Sequence, residues 1–103
     1  MLHARDSQRV PSVSDITFRQ AVAAEVKARR AQIGISQEEL AFRANVHRTF
    51  VARLEVARTQ PSLSVVFQLA DALQVSPEDL VKAVRQRIVR AINGTTAQQR
   101  LPS

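Results

Sequence analysis

The chain has 103 residues, 45% of them hydrophobic, which predicts one small domain with a modest core. Lysine and arginine number 15 against 9 acidic residues, so the formal net charge is +6, and all the basic residues except Lys27 and Lys82 are arginine. A planar guanidinium can bond a phosphate through two N–H groups, so this charge fits contact with a nucleic acid. Charge alone fits a basic protein without such a partner equally well.

Several classes of protein are excluded by what the chain lacks. It contains no cysteine, which excludes disulfides, thiolate metal sites and thiol catalysis. His3 and His47 are far apart in sequence without a carboxylate cluster beside either, so no metal site is predicted. No nucleophile with a neighbouring base and no glycine-rich phosphate loop is recognisable, so we predict no enzyme and no cofactor.

The chain also lacks the sequence features of membrane and secreted proteins. No apolar run approaches the roughly 20 residues that a membrane span needs, and the first residues do not form the apolar core of a secretory signal. We therefore expect a cytoplasmic protein without a membrane partner.

Both ends of the chain are polar and lack an apolar period. Residues 1–15 and 94–103 are therefore predicted to be disordered tails. The N-terminal tail either has no function or wraps a nucleic acid through Arg5 and Arg9.

The first helix is predicted to start with a cap at Asp15 or Thr17 and to end at Gly34. One apolar stripe of this helix should face the core, formed by Phe18, Val22 and Val26.

The central stretch predicts two short helices joined by a tight turn. Ser36, with a glutamate three residues later, forms a capping box that starts a helix. Asn45 can adopt the left-handed conformation that ends it. A second helix then runs from His47 or Arg48 to about Val56.

Such a pair of helices is a helix-turn-helix, whose second helix fits the major groove of DNA. Val51 and Leu54 should point inward, which leaves Arg48, Thr49 and Arg53 pointing outward. A guanidinium can bond two acceptors on a guanine edge, and a threonine methyl can meet a thymine methyl. These three outward side chains are the predicted base-reading set.

Two more helices are predicted after a polar loop. The fourth opens at Ser62 after a proline, with five residues at helical spacing assigned to the core: Leu63, Val66, Phe67, Ala70 and Leu73. The fifth begins at Ser76, which is followed by a proline and two carboxylates, and is predicted to run to Ile92, with Asn93 and Gly94 stopping it.

The fifth helix has more apolar surface than a small core can cover. Its apolar line contains Leu80, Val81, Val84, Ile88 and Ile92. A second copy of the same helix is the simplest cover, which predicts a homodimer held by Val84, Ile88 and Ile92. In the alternative, the chain's own core takes the first part of the line, and Ile88 and Ile92 stay partly exposed.

These segments together resemble the XRE family, which contains phage Cro and repressor-like helix-turn-helix proteins. The resemblance covers residues 16–82 and is carried by Arg29 to Ala41, Val46 to Val51, Leu54-Glu55, Pro61 to Leu63 and Leu69 to Ser76. The segment from His47 to Val51 also resembles the recognition helix of restriction-modification controller proteins. The resemblance implies an all-α, five-helix repressor-like fold over residues 16–93, with helix 76–92 as the dimerisation element.

The resemblance also implies roles for single residues. Arg30 and Glu55 should form a structural pair, and Gln37 should bind a DNA phosphate. Three more side chains are assigned to DNA phosphates from their own positions in the chain and not from the resemblance: His47, Arg43 and Arg58. For His47 a simple cap is an equal alternative, and for Arg43 and Arg58 the alternative is a solvated charge. Ala57 stands where family members usually have glycine, so we expect a looser or differently shaped turn there.

The function predicted from the sequence is sequence-specific binding of double-stranded DNA by a homodimeric transcriptional repressor. Two recognition helices about 34 Å apart would read a two-fold symmetric operator. The alternative is an antitoxin that binds its own promoter and masks a toxin partner.

Overall fold

The computed structural model describes residues 13–100, which form five helices and no strand. They are α1 (Asp15–Ile33), α2 (Gln37–Ala44), α3 (Arg48–Glu55), α4 (Leu63–Ala72) and α5 (Pro77–Arg100). The predicted all-α five-helix fold is confirmed. The predictions for residues 1–12 and 101–103 lie outside the described residues. None of the described helices is both long and apolar enough to cross a membrane.

Serine caps begin four of the five helices, because a serine hydroxyl can accept a bond from a free backbone N–H of the first turn. The distances from the serine oxygen to the amide three residues on are 3.1 Å at Ser14, 3.0 Å at Ser36, 3.3 Å at Ser62 and 3.1 Å at Ser76. The prediction of a cap at Asp15 or Thr17 is wrong, since Ser14 caps α1. Asp15 is already helical, so the predicted tail 1–15 is too long at its C-terminal end.

Each of the first four helices is followed within two residues by a residue with positive φ, which allows the chain to turn sharply. These residues are Gly34 (φ 73°), Asn45 (φ 56°), Ala57 (φ 63°) and Gln74 (φ 62°). The predicted stops at Gly34 and Asn45 are confirmed. The turn at Ala57 keeps a left-handed conformation without glycine.

The core lies where α1, α2, α3 and α4 meet, and α5 closes it. Its largest fully buried side chains are Leu40, Leu54, Leu69, Val26 and Val51. The prediction that Leu63 and Phe67 face the core is wrong, because both are exposed. The helix instead turns Val65, Leu69 and Ala72 inward.

Helix α5 is longer than predicted. It continues through Gly94 to Arg100, so the predicted stop at residues 93–94 and the predicted disorder of residues 94–100 are wrong. Gly94 does not take the positive φ of a helix stop, which among the described glycines only Gly34 adopts. A glycine inside a helix costs only about 1 kcal/mol relative to alanine, which does not by itself end a helix.

An ion pair attaches α5 to α1. The largely buried Glu25 accepts a bond from Arg87 Nε at 2.7 Å across the two helices, and one from Arg29 Nε at 2.6 Å within α1. Burial would raise the pKa of the Glu25 carboxyl, but the bonds and charges of the two arginines outweigh burial and lower that pKa. Glu25 is therefore held ionised at neutral pH.

An apolar groove of about 770 Å³ runs between α1, α4 and α5. Its wall includes Val22, Val26 and Leu69, together with the three residues predicted for dimerisation: Val84, Ile88 and Ile92. Val84 lies at the floor and is buried, Ile88 is half-buried, and Ile92 lies at the exposed rim. We call this feature the α5 groove.

Candidate nucleic-acid interface

Helix α3 has one buried and one free face. Val51 and Leu54 are 0% exposed and fix the inner face in the core. Arg48, Thr49 and Arg53 are all exposed on the opposite side. The three predicted base-reading residues therefore share one outward surface, which is the geometry that a major groove can accept.

A buried carboxylate fixes the C-terminal end of α3. Glu55 accepts two bonds from Arg30, at 2.6 Å from Nε and 2.9 Å from Nη2, and a third from Gln37 Nε2 at 3.0 Å. Arg30 Nη1 also donates to the carbonyl oxygen of Ile35 at 2.8 Å. This cluster joins α1, the start of α2 and the end of α3, and the predicted Arg30–Glu55 pair is present.

The charges of this cluster are set by burial and by direct contact. Burial of Glu55, whose side chain is 2% exposed, would raise its pKa. The bonds from Arg30 and Gln37, with the charges of Arg30 and Lys27, outweigh burial, so the pKa is lowered. The bond to Glu55 raises the pKa of Arg30. Both members of the pair are therefore ionised in the folded protein at neutral pH.

Gln37 contacts a buried carboxylate and is also partly exposed to solvent. Its amide nitrogen holds Glu55, while the residue itself stays half-exposed as the first residue of α2. It thus connects the start of one motif helix to the end of the other. A phosphate contact by Gln37 remains a prediction.

His47 occupies the N-cap of α3 and is exposed. Its side chain makes no capping hydrogen bond, so the amides of the first turn are not satisfied by the imidazole. Free amides and a positive helix end are the groups that bind a phosphate at a helix N-terminus.

Carboxylates lie beside two of the candidate arginines. Arg43 Nε bonds Glu39 at 2.7 Å along α2, so the glutamate of the capping box binds this arginine. Arg48 Nη1 lies 3.8 Å from Glu38 Oε2, with both side chains more than 70% exposed. Such exposed pairs are worth about 0–1 kcal/mol, so either arginine can leave its partner for DNA.

Sequence reasoning missed three residues that shape this surface. Gln68 on α4 donates to the carbonyl oxygen of Ala44 at 3.0 Å, which ties the end of α2 to α4. Arg19 on α1 donates to the carbonyl oxygen of Ala57 at 3.0 Å. Glu38 stands beside Arg48. No local pattern signals these contacts, because each depends on how distant helices or neighbouring motif helices pack.

Helix α3 spans about two turns, presents exposed arginines and is joined to the short helix α2 by a fixed turn. This arrangement defines a helix-turn-helix DNA-binding protein of the transcription-regulator class. The HTH_3 family, described as helix-turn-helix, matches residues 26–80, which is more than half of the chain. The chain belongs to this family, and the predicted XRE-type resemblance is confirmed.

The chain is similar to restriction-modification controller proteins. Control protein C.BamHI from Bacillus amyloliquefaciens is 36% identical over 53 residues, a match that covers 52% of this chain and 65% of that protein, less than two thirds of its length. The structure of controller protein C.AhdI from Aeromonas hydrophila is 31% identical, with a TM-score of 0.58, and the match covers 60% of this chain and 94% of that chain.

A third structure shares the fold. The controller protein C.Esp1396I, solved as a tetramer in complex with its natural 35 base-pair operator, is 22% identical with a TM-score of 0.64. The match covers 70% of this chain and 95% of that chain.

Proposed function

We propose that the protein is a sequence-specific regulator of the controller type, a homodimer that binds a two-fold symmetric operator in double-stranded DNA and represses transcription. The outward face of α3 carries the proposal. Its arginines are exposed on a helix whose opposite face is fully buried and whose end is held by an ionised cluster. The similarity to C.AhdI and C.BamHI supports the same function.

The residues divide by the part of DNA that they would contact. Arg48, Thr49 and Arg53 would reach base edges, because they lie on the outer face of the helix that enters the groove. The surrounding residues would bind the sugar-phosphate backbone and fix the register of the helix: Gln37, His47, Arg43 and Arg58.

The homodimer is proposed from the α5 groove. Val81, Val89 and Ile92 are each at least 40% exposed and line the α5 groove. Leaving these side chains in water is unfavourable by about 25 cal/mol for each Å² of apolar surface. A second copy of α5 offers the complementary apolar surface and would set the two α3 helices on one face of the duplex.

Selection of duplexes from a random pool by purified protein tests the DNA-binding function. We expect a two-fold symmetric site, bound at least roughly 10³ times more tightly than random DNA. Arg48→Ala should weaken binding to that site by about 1 to 3 kcal/mol and change binding to random DNA little. Arg90→Ala is the control, because it removes the same charge from an exposed position on α5. Failure to enrich any duplex would contradict the proposed function.

The homodimer is tested by placing a charge at the rim of the α5 groove. Ile92→Arg should yield a monomer in sedimentation equilibrium and abolish simultaneous occupancy of both half-sites. Ile16→Arg is the control, because Ile16 is an exposed isoleucine outside the groove lining. A dimer that persists in Ile92→Arg would place the interface elsewhere.

Repression is tested separately with a reporter whose promoter overlaps the selected site. We expect reporter output to fall when the protein is supplied and to recover with Arg48→Ala. A rise in output would make the protein an activator at that promoter.

A further inference from the structure

The four helix ends with positive φ share one hydrogen-bond pattern. In each, the residue after the left-handed one donates its amide to a carbonyl five positions earlier, as in a Schellman motif. These bonds are Ile35 to Arg30 at 3.3 Å, Val46 to Ala41 at 3.0 Å, Arg58 to Arg53 at 2.9 Å, and Val75 to Ala70 at 3.0 Å.

The end of α3 differs from the other three in its anchor. Ile35, Val46 and Val75 are apolar, half-buried and packed against the core, which is the contact that usually accompanies this motif. The corresponding residue after α3 is Arg58, which is exposed. The left-handed residue there is Ala57, whose Cβ makes this conformation less favourable than it is for glycine.

Arg19 supplies an anchor of another kind. From the second turn of α1 its Nε–H donates to the carbonyl oxygen of Ala57 at 3.0 Å, in a partly buried bond between residues 38 positions apart. That carbonyl belongs to the peptide that joins Ala57 to Arg58. The bond therefore fixes the direction in which the chain leaves α3.

We propose that Arg19 is a positioning residue that sets Arg58 against the DNA backbone. An apolar residue at position 58 could hold the turn only by burying itself, and it could not then bind a phosphate. Because Arg19 holds the turn from α1, position 58 is free to present a cation. Among residues 13–94, whose side chains the structure describes, none forms a hydrogen bond or ion pair with the side chain of Arg58, so its guanidinium is available to a phosphate. This inference rests on the proposed DNA-binding function.

A matched pair of substitutions isolates the hydrogen bond. Glutamine places its Nε2 donor as many bonds from Cα as arginine places Nε, so Arg19→Gln removes the charge and keeps the donor. Arg19→Met has the same length and an apolar stem but no donor. Both variants, with Arg58→Ala and the double variant Arg19→Met/Arg58→Ala, are titrated with the selected duplex at several salt concentrations.

We expect Arg19→Gln to bind as the wild type does, and Arg19→Met to bind several-fold more weakly, as Arg58→Ala does. The plot of log affinity against log salt should become shallower by about 0.9 in both weak variants, which corresponds to the loss of one phosphate contact. The double variant should bind no more weakly than Arg58→Ala alone, because both changes remove the same contact.

Three results would overturn the inference. Equal binding by Arg19→Gln and Arg19→Met, whether strong or weak, would show that the donor is irrelevant. Additive losses in the double variant would mean that Arg19 acts independently of Arg58. Weaker binding by Arg19→Met with an unchanged salt slope would exclude a role of Arg19 in phosphate contact. If the wild type enriches no duplex, the proposed function itself fails. If the wild type enriches a duplex but Arg19→Gln and Arg19→Met bind it equally, only the role of Arg19 fails.

Discussion

Replacing Glu55 should test whether the buried ion pair holds the recognition helix in place. Glu55→Ala removes an acceptor of three bonds and leaves the Arg30 side chain, only 18% exposed, without its counter-charge. Breaking a buried pair in this way costs about 3 to 5 kcal/mol. Because Arg30 keeps some contact with water, we expect a loss near the lower end, about 3 kcal/mol. The melting temperature should then fall by on the order of 15 °C for a domain of this size.

Urea denaturation at pH 7, followed by circular dichroism, measures this loss. Glu39→Ala is the control, because Glu39 also binds an arginine at 2.7 Å but in an exposed pair. That change should cost about 0.5 kcal/mol. Replacing both members, as Arg30→Met/Glu55→Met, should restore much of the stability, because no charge is left stranded. Equal losses in Glu55→Ala and Glu39→Ala would refute the argument that burial of the pair makes it strong.

Three further predictions concern pH, helix ends and DNA affinity. Because the pKa values of Glu25 and Glu55 are lowered in the folded state, their ionised carboxylates stabilise the fold, and this contribution is complete above roughly pH 5. It should be lost as the pH falls through the folded-state pKa values. Melting temperatures measured from pH 7 to pH 3 should show that loss, and the loss should be smaller in the double variant Glu25→Gln/Glu55→Gln. Gln74→Gly should raise the free energy of unfolding by about 1 kcal/mol, and Gly34→Ala should lower it by a similar amount, since both positions have positive φ. A Cβ at Gly34 would meet no other atom within 4 Å, so the effect there is that of the backbone conformation alone. Changes of the opposite sign in urea titration would contradict this prediction. Glu38→Gln should tighten binding to random DNA two- to threefold at low salt, an effect of about 0.5 kcal/mol, because the exposed carboxylate of Glu38 on this surface repels phosphates. Unchanged affinity in fluorescence anisotropy would count against this prediction.

Features with local causes could be predicted from the sequence. A serine hydroxyl can accept a bond from the backbone amide three residues on, which predicts the helix starts at Ser36, Ser62 and Ser76. Gly34 and Asn45 stop helices because few other residues take positive φ easily. The outward face of α3 followed from the spacing of Val51 and Leu54 alone.

Features that depend on packing could not be predicted in the same way. The apolar residues of α4 fit two overlapping stripes, and packing against the other helices decides that Leu69 is buried while Phe67 is exposed. Glycine in α5 is a weak stop, since it ends a helix only where the chain also finds a left-handed turn, and at Gly94 it does not. The Arg19 bond joins residues 38 positions apart, and no pattern within either segment indicates the other.

The short length of α3 explains why so many anchors surround it. An eight-residue helix is not stable in water by itself, so its conformation must come from tertiary contacts. Two core residues hold its inner face, Glu55 holds its end, and the Arg19 bond holds the turn beyond. None of these anchors uses the outward face. The side chains at positions 48, 49 and 53 can therefore change without disturbing the fold. Under the proposed function, the recognised site could then diverge while the position of α3 on DNA is kept.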